Sequence, residues 1–272
     1  MSWPMRFELP GRRALPLLVC VTLVSTPALF AEETATVEPY TASPFATASD
    51  HELGHYAANL GRNLKGVLGR GNVRPLLLGA SLALGGSLLD RRAESYFDQH
   101  PYPSAGRTGA RMGQTLVVAG LTAGLFGAGA LSREGRFHDT TYDLSQAVLV
   151  NTAYTFALKN TIHRTRPDGS NALSFPSGHT STAFAAATVL QSHYGPKVGL
   201  PAYGIASFIG ASRMASKAHH LSDVIAGAGL GYLVGRTVVS HDDRAGRHRQ
   251  LSLGTAASPS GDGVGLALHF GF

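Results

Sequence analysis

Apolar residues along the chain gather into six runs: Pro75–Leu89, Thr115–Leu131, Ala147–Leu158, Thr182–Leu190, Val198–Ala211 and Val224–Val239. Each is bounded by charges, glycine or proline, as helices are. His51–Gly69 reads as a first amphipathic helix, and Arg91–Arg111, with Pro101 and Pro103, as a connecting loop with one short helix. Between Glu32 and Asp50 the sequence is Thr, Ala, Ser, Pro and Glu, the composition of a tether. After His241 the period changes. Val264, Leu266, Leu268, Phe270 and Phe272 alternate, and Gly261-Asp262-Gly263 separates them from Gln250–Ser258, which predicts a β-hairpin. The expected fold is therefore all-α, a compact bundle of about six helices with a C-terminal hairpin appended.

Glycine and alanine crowd the apolar runs, which suits closely packed helices better than a sheet. Only Thr115–Leu131 approaches the length needed to span a bilayer, so soluble and membrane bundles both remain open. The start of the chain reads separately. Arg6, Arg12 and Arg13 precede a short apolar run, Ala14–Val24, and small residues offer cleavage after Ala28 or Ala31. Residues 1–31 are thus expected to be a signal peptide or an N-terminal anchor, and either places the protein in the cell envelope, exported to the periplasmic side. The remaining divisions are residues 32–70, tether and first helix; 71–240, helical-bundle domain; and 241–272, basic linker and hairpin.

With 272 residues, 44% hydrophobic and 15% charged, the chain holds one sizeable domain with a real core. A mean hydropathy of +0.04 is low for a chain that is mostly lipid-facing. The formal charge is +6, and removing Arg6, Glu8, Arg12 and Arg13 leaves +4. That excess suits an anionic substrate or a membrane surface. It is too diffuse for nucleic acid, and no arginine-aromatic patch supports that partner. Cys20 is the only cysteine and lies in the leader, so the mature chain has no disulfide, thiolate nucleophile or cysteine metal site.

Three polar clusters interrupt the apolar pattern: Lys159–Pro167, Ser174–Thr180 and Ser212–Asp223. Singly each has a plain explanation. Lys159 and Arg166 can snorkel from a helix end, Ser177 can cap a helix, and His219 and Asp223 can be a surface pair one turn apart. Together they supply what phosphoryl transfer needs, fixed donors around three equatorial oxygens and in-line groups above and below. Lys159, Arg166 and Arg213 bring charge, arginine in bidentate form. Ser177 and Gly178 bring a hydroxyl and a backbone N–H at a helix N-terminus. His219 attacks phosphorus if Asp223 accepts its other ring proton, and His179 protonates the leaving oxygen, then activates water.

These clusters resemble the signature of the type 2 phosphatidic acid phosphatase family, whose site is shared with vanadium haloperoxidases and bacterial non-specific acid phosphatases. Lys159, Arg166-Pro167, Pro176 to His179, Ser212-Arg213, His219 and Asp223 occupy every fixed position of that pattern, in order. The resemblance implies about six core helices, a site at the helix ends, the roles just given, and neither cofactor nor metal. It also implies a phosphorylated substrate, first of all a lipid phosphate or pyrophosphate at a membrane surface, with soluble phosphomonoesters as the alternative. Vanadate-dependent haloperoxidase chemistry and a non-catalytic envelope binder are the other outcomes that the same residues allow. Two departures stand out. Only eight residues separate Pro167 from Pro176, and His220 stands where many relatives have an aromatic. His220 is therefore a residue able to tune or compete with His219.

His51-Glu52-Leu53-Gly54-His55 spells the zinc-protease motif HExxH. A third ligand is missing at the metzincin spacing, where Ala58 and Gly61 stand, and the next carboxylates are the remote Asp90 and Glu94. The preferred reading is polar residues opening an amphipathic helix.

Overall fold

A computed structural model describes residues 51, 53–100, 115–132, 134–248, 252–257 and 264–269; the leader, the tether, Glu52 and residues 101–114 lie outside the described residues. Among the described residues eight α-helices follow in chain order. They are α1 (Tyr56–Val67), α2 (Val73–Ser87), α3 (Asp90–Gln99), α4 (Thr115–Leu131), α5 (Gly135–Ile162), α6 (Gly178–Tyr194), α7 (Pro196–Ala215) and α8 (Leu221–His248). Five of the six apolar runs fall inside helices, α4 coinciding with its run, and the first overruns α2 by Leu88 and Leu89, which form the turn into α3. The two helices beyond the expected six are short. One is α1, the amphipathic segment after His51; the other is α3, the short helix expected between Arg91 and Arg111, which here starts at Asp90.

Two strands, β1 (Ser252–Ala257) and β2 (Val264–His269), pair antiparallel from Ser252↔His269 to Ala257↔Val264. This is the hairpin that the alternation predicts.

The packing turns on glycine. Gly227, Gly231 and Gly235 recur every fourth residue on α8 and form one stripe. A Cβ on them would lie 2.6 Å from the Ser177 carbonyl oxygen, 2.1 Å from that of Ser181 and 2.8 Å from that of Ala185. The α6 and α8 backbones therefore meet directly, as small residues allow. Beside this seam Val67, Ala147, Val150, Ala185, Val189, Val234 and Val238 form the buried core, drawn from α1, α5, α6 and α8. The seam matters for the site because Gly227 presses on Ser177, the residue that opens α6.

Two left-handed residues end helices where the polar clusters begin. His163 (φ 50°, ψ 47°) stops α5 four residues after Lys159 and donates its N–H to the Lys159 carbonyl at 3.2 Å. Lys217 (φ 55°) follows α7, where the Ala218 and His219 N–H groups donate back to the Arg213 carbonyl at 3.1 and 3.3 Å. Both turns bring the chain sharply back over the end of α6.

Candidate active site

The three clusters converge at the N-terminus of α6. Backbone hydrogen bonds stitch them: Ser177 N–H to Asp223 C=O at 3.0 Å, Ser174 N–H to Arg164 C=O at 2.9 Å, and Asp168 N–H to Lys217 C=O at 3.1 Å. Lys159 comes from the last turn of α5, Arg213 from the last turn of α7, and Asp223 from the first turn of α8. His219 sits in the turn between α7 and α8, and His179 is the second residue of α6. The Phe175–Pro176 peptide within the second cluster is cis.

The cationic side is built by burial. Arg213 is almost wholly buried, and its Nε, like that of Arg166, is buried without a hydrogen-bond partner. Burial and the neighbouring Arg166 lower the Arg213 guanidinium. Burial, then Arg166, pushes the Lys159 ammonium down to about 8, with Arg213 adding to the effect and Asp223 opposing it. Lys159 Nζ meanwhile donates to the Leu173 carbonyl at 2.6 Å. Arg166 lowers both of these neighbours, and such crowding of positive charge marks a place suited to an anion.

Gly178 leaves room beside this charge. A Cβ there would sit 3.3 Å from Thr155 Cγ2 and 3.9 Å from Lys159 Cε. Ser177 is the N-cap of α6 by position, yet its side chain makes no capping bond and instead accepts the Thr180 hydroxyl at 2.9 Å. The N–H groups of the first turn of α6 therefore have no cap from that hydroxyl, and an anion is favoured at such an end.

The histidine and carboxylate are almost wholly buried. His219 Nδ1 lies 3.8 Å from Asp223 Oδ2 and has no hydrogen-bond partner, which leaves Nε2 as the nitrogen on the far edge of the ring. Burial lowers the His219 pKa; Lys159 and Arg166 add to this and Asp223 opposes it, so the ring is neutral at neutral pH. Asp223 is pulled two ways. Burial favours its neutral form, but the His219 ring, the Ser174 hydroxyl, the His220 N–H and Arg164 outweigh it and hold the carboxyl at about 2.

The sequence-predicted site residues thus lie on segments that meet at one place, where His179, on the first turn of α6, is half-buried. Sequence reasoning missed two residues that hold Asp223, Arg164 and Ser174, and two behind them, Asp90 and Ser222. Arg164 donates to Asp223 Oδ1 at 2.6 Å and to Asp90 Oδ2 at 2.7 Å; Ser174 Oγ donates to Asp223 Oδ2 at 2.5 Å; Ser222 donates to Asp90 through N–H and hydroxyl at 2.9 and 2.8 Å. Arg164 was visible as an extra cation between Lys159 and Arg166, but no spacing rule ties Asp90 to Asp223. The expectation that His220 competes with His219 is met differently. Its ring is occupied by Glu94 Oε1 at 2.5 Å and the Thr165 carbonyl at 3.1 Å.

A profile described as the PAP2 superfamily matches residues 141–246, which contain every one of these predicted site residues. Residues 141–246 are of the PAP2 superfamily. The superfamily is the one that the three clusters resemble. A stretch of 80 residues is 49% identical to a lipid A 1-phosphatase of Porphyromonas gingivalis, covering 28% of this chain and 18% of that protein, so the chain spans under a fifth of the curated relative it matches. Among solved structures, a transmembrane PAP2-type phosphatidylglycerolphosphate phosphatase of Bacillus subtilis is similar at a TM-score of 0.53 and 22% identity, over 63% of this chain and 96% of that one. LpxE of Aquifex aeolicus is similar at a TM-score of 0.48 and 24% identity, over 56% of this chain and 95% of that one. The Bacillus likeness shows a shared helical fold.

Glu52 of the HExxH motif lies outside the described residues. Leu53–His55 is a 3-10 turn before α1, so the motif does not lie on one α-helix, and the His51 ring sits 3.1 Å from Asp139 and 3.6 Å from Asp143 on α5. Among the described residues no three His, Cys, Asp or Glu side chains are placed to hold a metal ion.

Proposed function

We propose that the chain is a phosphatase that cleaves a phosphate monoester or pyrophosphate through a phosphohistidine on His219. One observation carries this reading. A buried, neutral histidine backed by an ionised aspartate sits beside three mutually repelling cations, two with unsatisfied buried Nε groups. Nε2 of His219 attacks phosphorus as the bond to the leaving oxygen breaks, and the ring's Nδ1 proton turns to Asp223. His179 gives the leaving oxygen its proton. Lys159, Arg166, Arg213 and the first-turn N–H groups of α6 hold the equatorial oxygens. Water then attacks phosphorus, His179 takes its proton, the N–P bond breaks, and inorganic phosphate leaves.

A lipid phosphate is the substrate class that the surroundings favour. Leu84, Leu88, Leu121, Leu131, Phe156 and Ile205 are exposed on or beside α2, α4, α5 and α7, large apolar side chains of the kind that a lipid phase would cover. No single described helix is long and apolar enough to cross a membrane, although Arg70–Ser87 with Asp90–Gln99, bent by 58°, passes as a pair. The PAP2 relatives named above act on a lipid A phosphate and a phosphatidylglycerol phosphate. Membrane association on the periplasmic side, after export by residues 1–31, completes the reading.

The test is phosphate release from p-nitrophenyl phosphate, phosphatidic acid, phosphatidylglycerophosphate and a polyprenyl pyrophosphate, by wild type and His219→Ala. Release by wild type alone, strongest on a lipid, is expected. Release from soluble esters only would overturn the lipid assignment.

A further inference from the structure

The carboxylates of α3 recur at Asp90, Glu94 and Asp98, every fourth residue, so they share one face of that helix. Each is tied to the segment that carries His219. Asp98 pairs with Lys217 at 2.6 Å, Glu94 with His220 at 2.5 Å, and Asp90 receives the N–H and hydroxyl of Ser222. Asp90 also fixes Arg164, whose other nitrogen grips Asp223. A cavity of about 60 Å³ between Glu94, Phe97, Asp98, Pro167, Met214 and Lys217 marks the line where helix and segment meet. None of these carboxylates lies within residues 141–246.

We infer that α3 is a clamp for the catalytic turn, and that Asp90, acting through Arg164 and Ser222, is a positioning residue for Asp223 and His219. The need for it follows from geometry. At 3.8 Å Asp223 does not itself hold the His219 ring, so ring placement depends on where the turn and the carboxylate are fixed. The three ties differ in weight. Asp98 and Lys217 are 52% and 55% exposed, and a pair so wet contributes little. Asp90 is 6% exposed and accepts from three donors, so its loss takes away the acceptor of the second Arg164 nitrogen and of the Ser222 N–H, while the Arg164 bonds to Asp223 and Ser222 Oγ are left to hold alone. Arginine is required as the bridge, because a lysine cannot span two carboxylates with a planar fork.

This inference rests on the phosphatase reading, and the experiment separates the two. For Asp90→Asn, kcat on p-nitrophenyl phosphate should fall at least about tenfold while KM and the calorimetric Kd for vanadate stay within about twofold. Asp98→Asn should stay within about twofold of wild type in all three. Arg164→Lys should lose kcat as Asp90→Asn does, and the double variant should be no worse than the poorer single one. Arg164→Lys also carries the test if Asp90→Asn does not fold. In the same samples the His219 ring titration, followed by NMR and identified by its absence from His219→Ala, should move in Asp90→Asn and Arg164→Lys but not in Asp98→Asn. That arm reads the clamp even in a protein that releases no phosphate, an outcome that counts against the phosphatase alone. Wild-type kcat with an unmoved His219 titration in both variants would overturn the clamp, as would a vanadate affinity that falls in step with kcat.

Discussion

Asp223 Oδ2 stands 3.8 Å from His219 Nδ1, beyond hydrogen-bonding distance, while the same carboxylate is gripped by Arg164, Ser174 and the His220 N–H. The carboxylate is thus fixed independently of the ring, and in the proposed mechanism the ring closes on it as positive charge develops in the transition state. Removing the charge and keeping the shape should be costly. Asp223→Asn is expected to lower kcat by roughly 10²-fold or more, read as phosphate release under saturating substrate.

The same carboxyl predicts an acid limit to stability. Its folded value of about 2 lies below the ordinary 3.8, so the folded state binds fewer protons there. The stabilisation is present above pH 4 and is lost as pH falls from about 4 to 2, at roughly 2 kcal/mol. Chemical denaturation across that window should show the loss in wild type and a flatter dependence in Asp223→Asn.

Two groups shape the expected pH profile. His219 must be neutral to attack, and its lowered pKa puts the acid limb of kcat/KM below the ordinary 6.5. Lys159 must be charged to hold phosphate, which puts the alkaline limb near its value of about 8. Lys159→Arg should push the alkaline limb upward, since arginine keeps its charge. An unmoved limb would assign it to another acid.

His179→Ala should slow both half-reactions, and least for substrates whose leaving group needs no proton. Comparing p-nitrophenyl phosphate with an alkyl phosphate tests this. A loss equal on both would remove His179 from the role of general acid.

The glycine seam gives a prediction that is independent of chemistry. In a helix an added methyl usually stabilises by about 1 kcal/mol, but at Gly231 it would meet the Ser181 carbonyl oxygen at 2.1 Å, a backbone clash costing roughly 1–3 kcal/mol. The clash outweighs the propensity. Gly231→Ala should lower the melting temperature, whereas Gly204→Ala on α7, with nothing within 4 Å, should hold or raise it.

Much of this was legible in the sequence. The apolar runs located the helices because burial along a 3.6-residue period leaves a trace in composition. The three clusters located the site because phosphate needs particular residue types. What stayed hidden was long-range pairing. Asp90 is 133 positions before Asp223, and only the fold brings Arg164 between them. The start of α5 at Gly135 was also hidden, because Thr140, Tyr142, Asp143 and Gln146 are polar yet buried, which erases the apolar signal there. His51 was read as part of a metal motif or a helix start. Its contacts with Asp139 and Asp143 come from the same unseen polar stretch.

The central claim is a covalent bond between His219 and phosphorus. Wild type should be mixed with ³²P-labelled substrate, quenched within milliseconds in alkali, digested, and the labelled peptide sequenced. The account predicts an alkali-stable, acid-labile label on the peptide containing His219, formed at a rate at least equal to turnover and absent from His219→Ala. Label on another residue, or full turnover by His219→Ala, would contradict it.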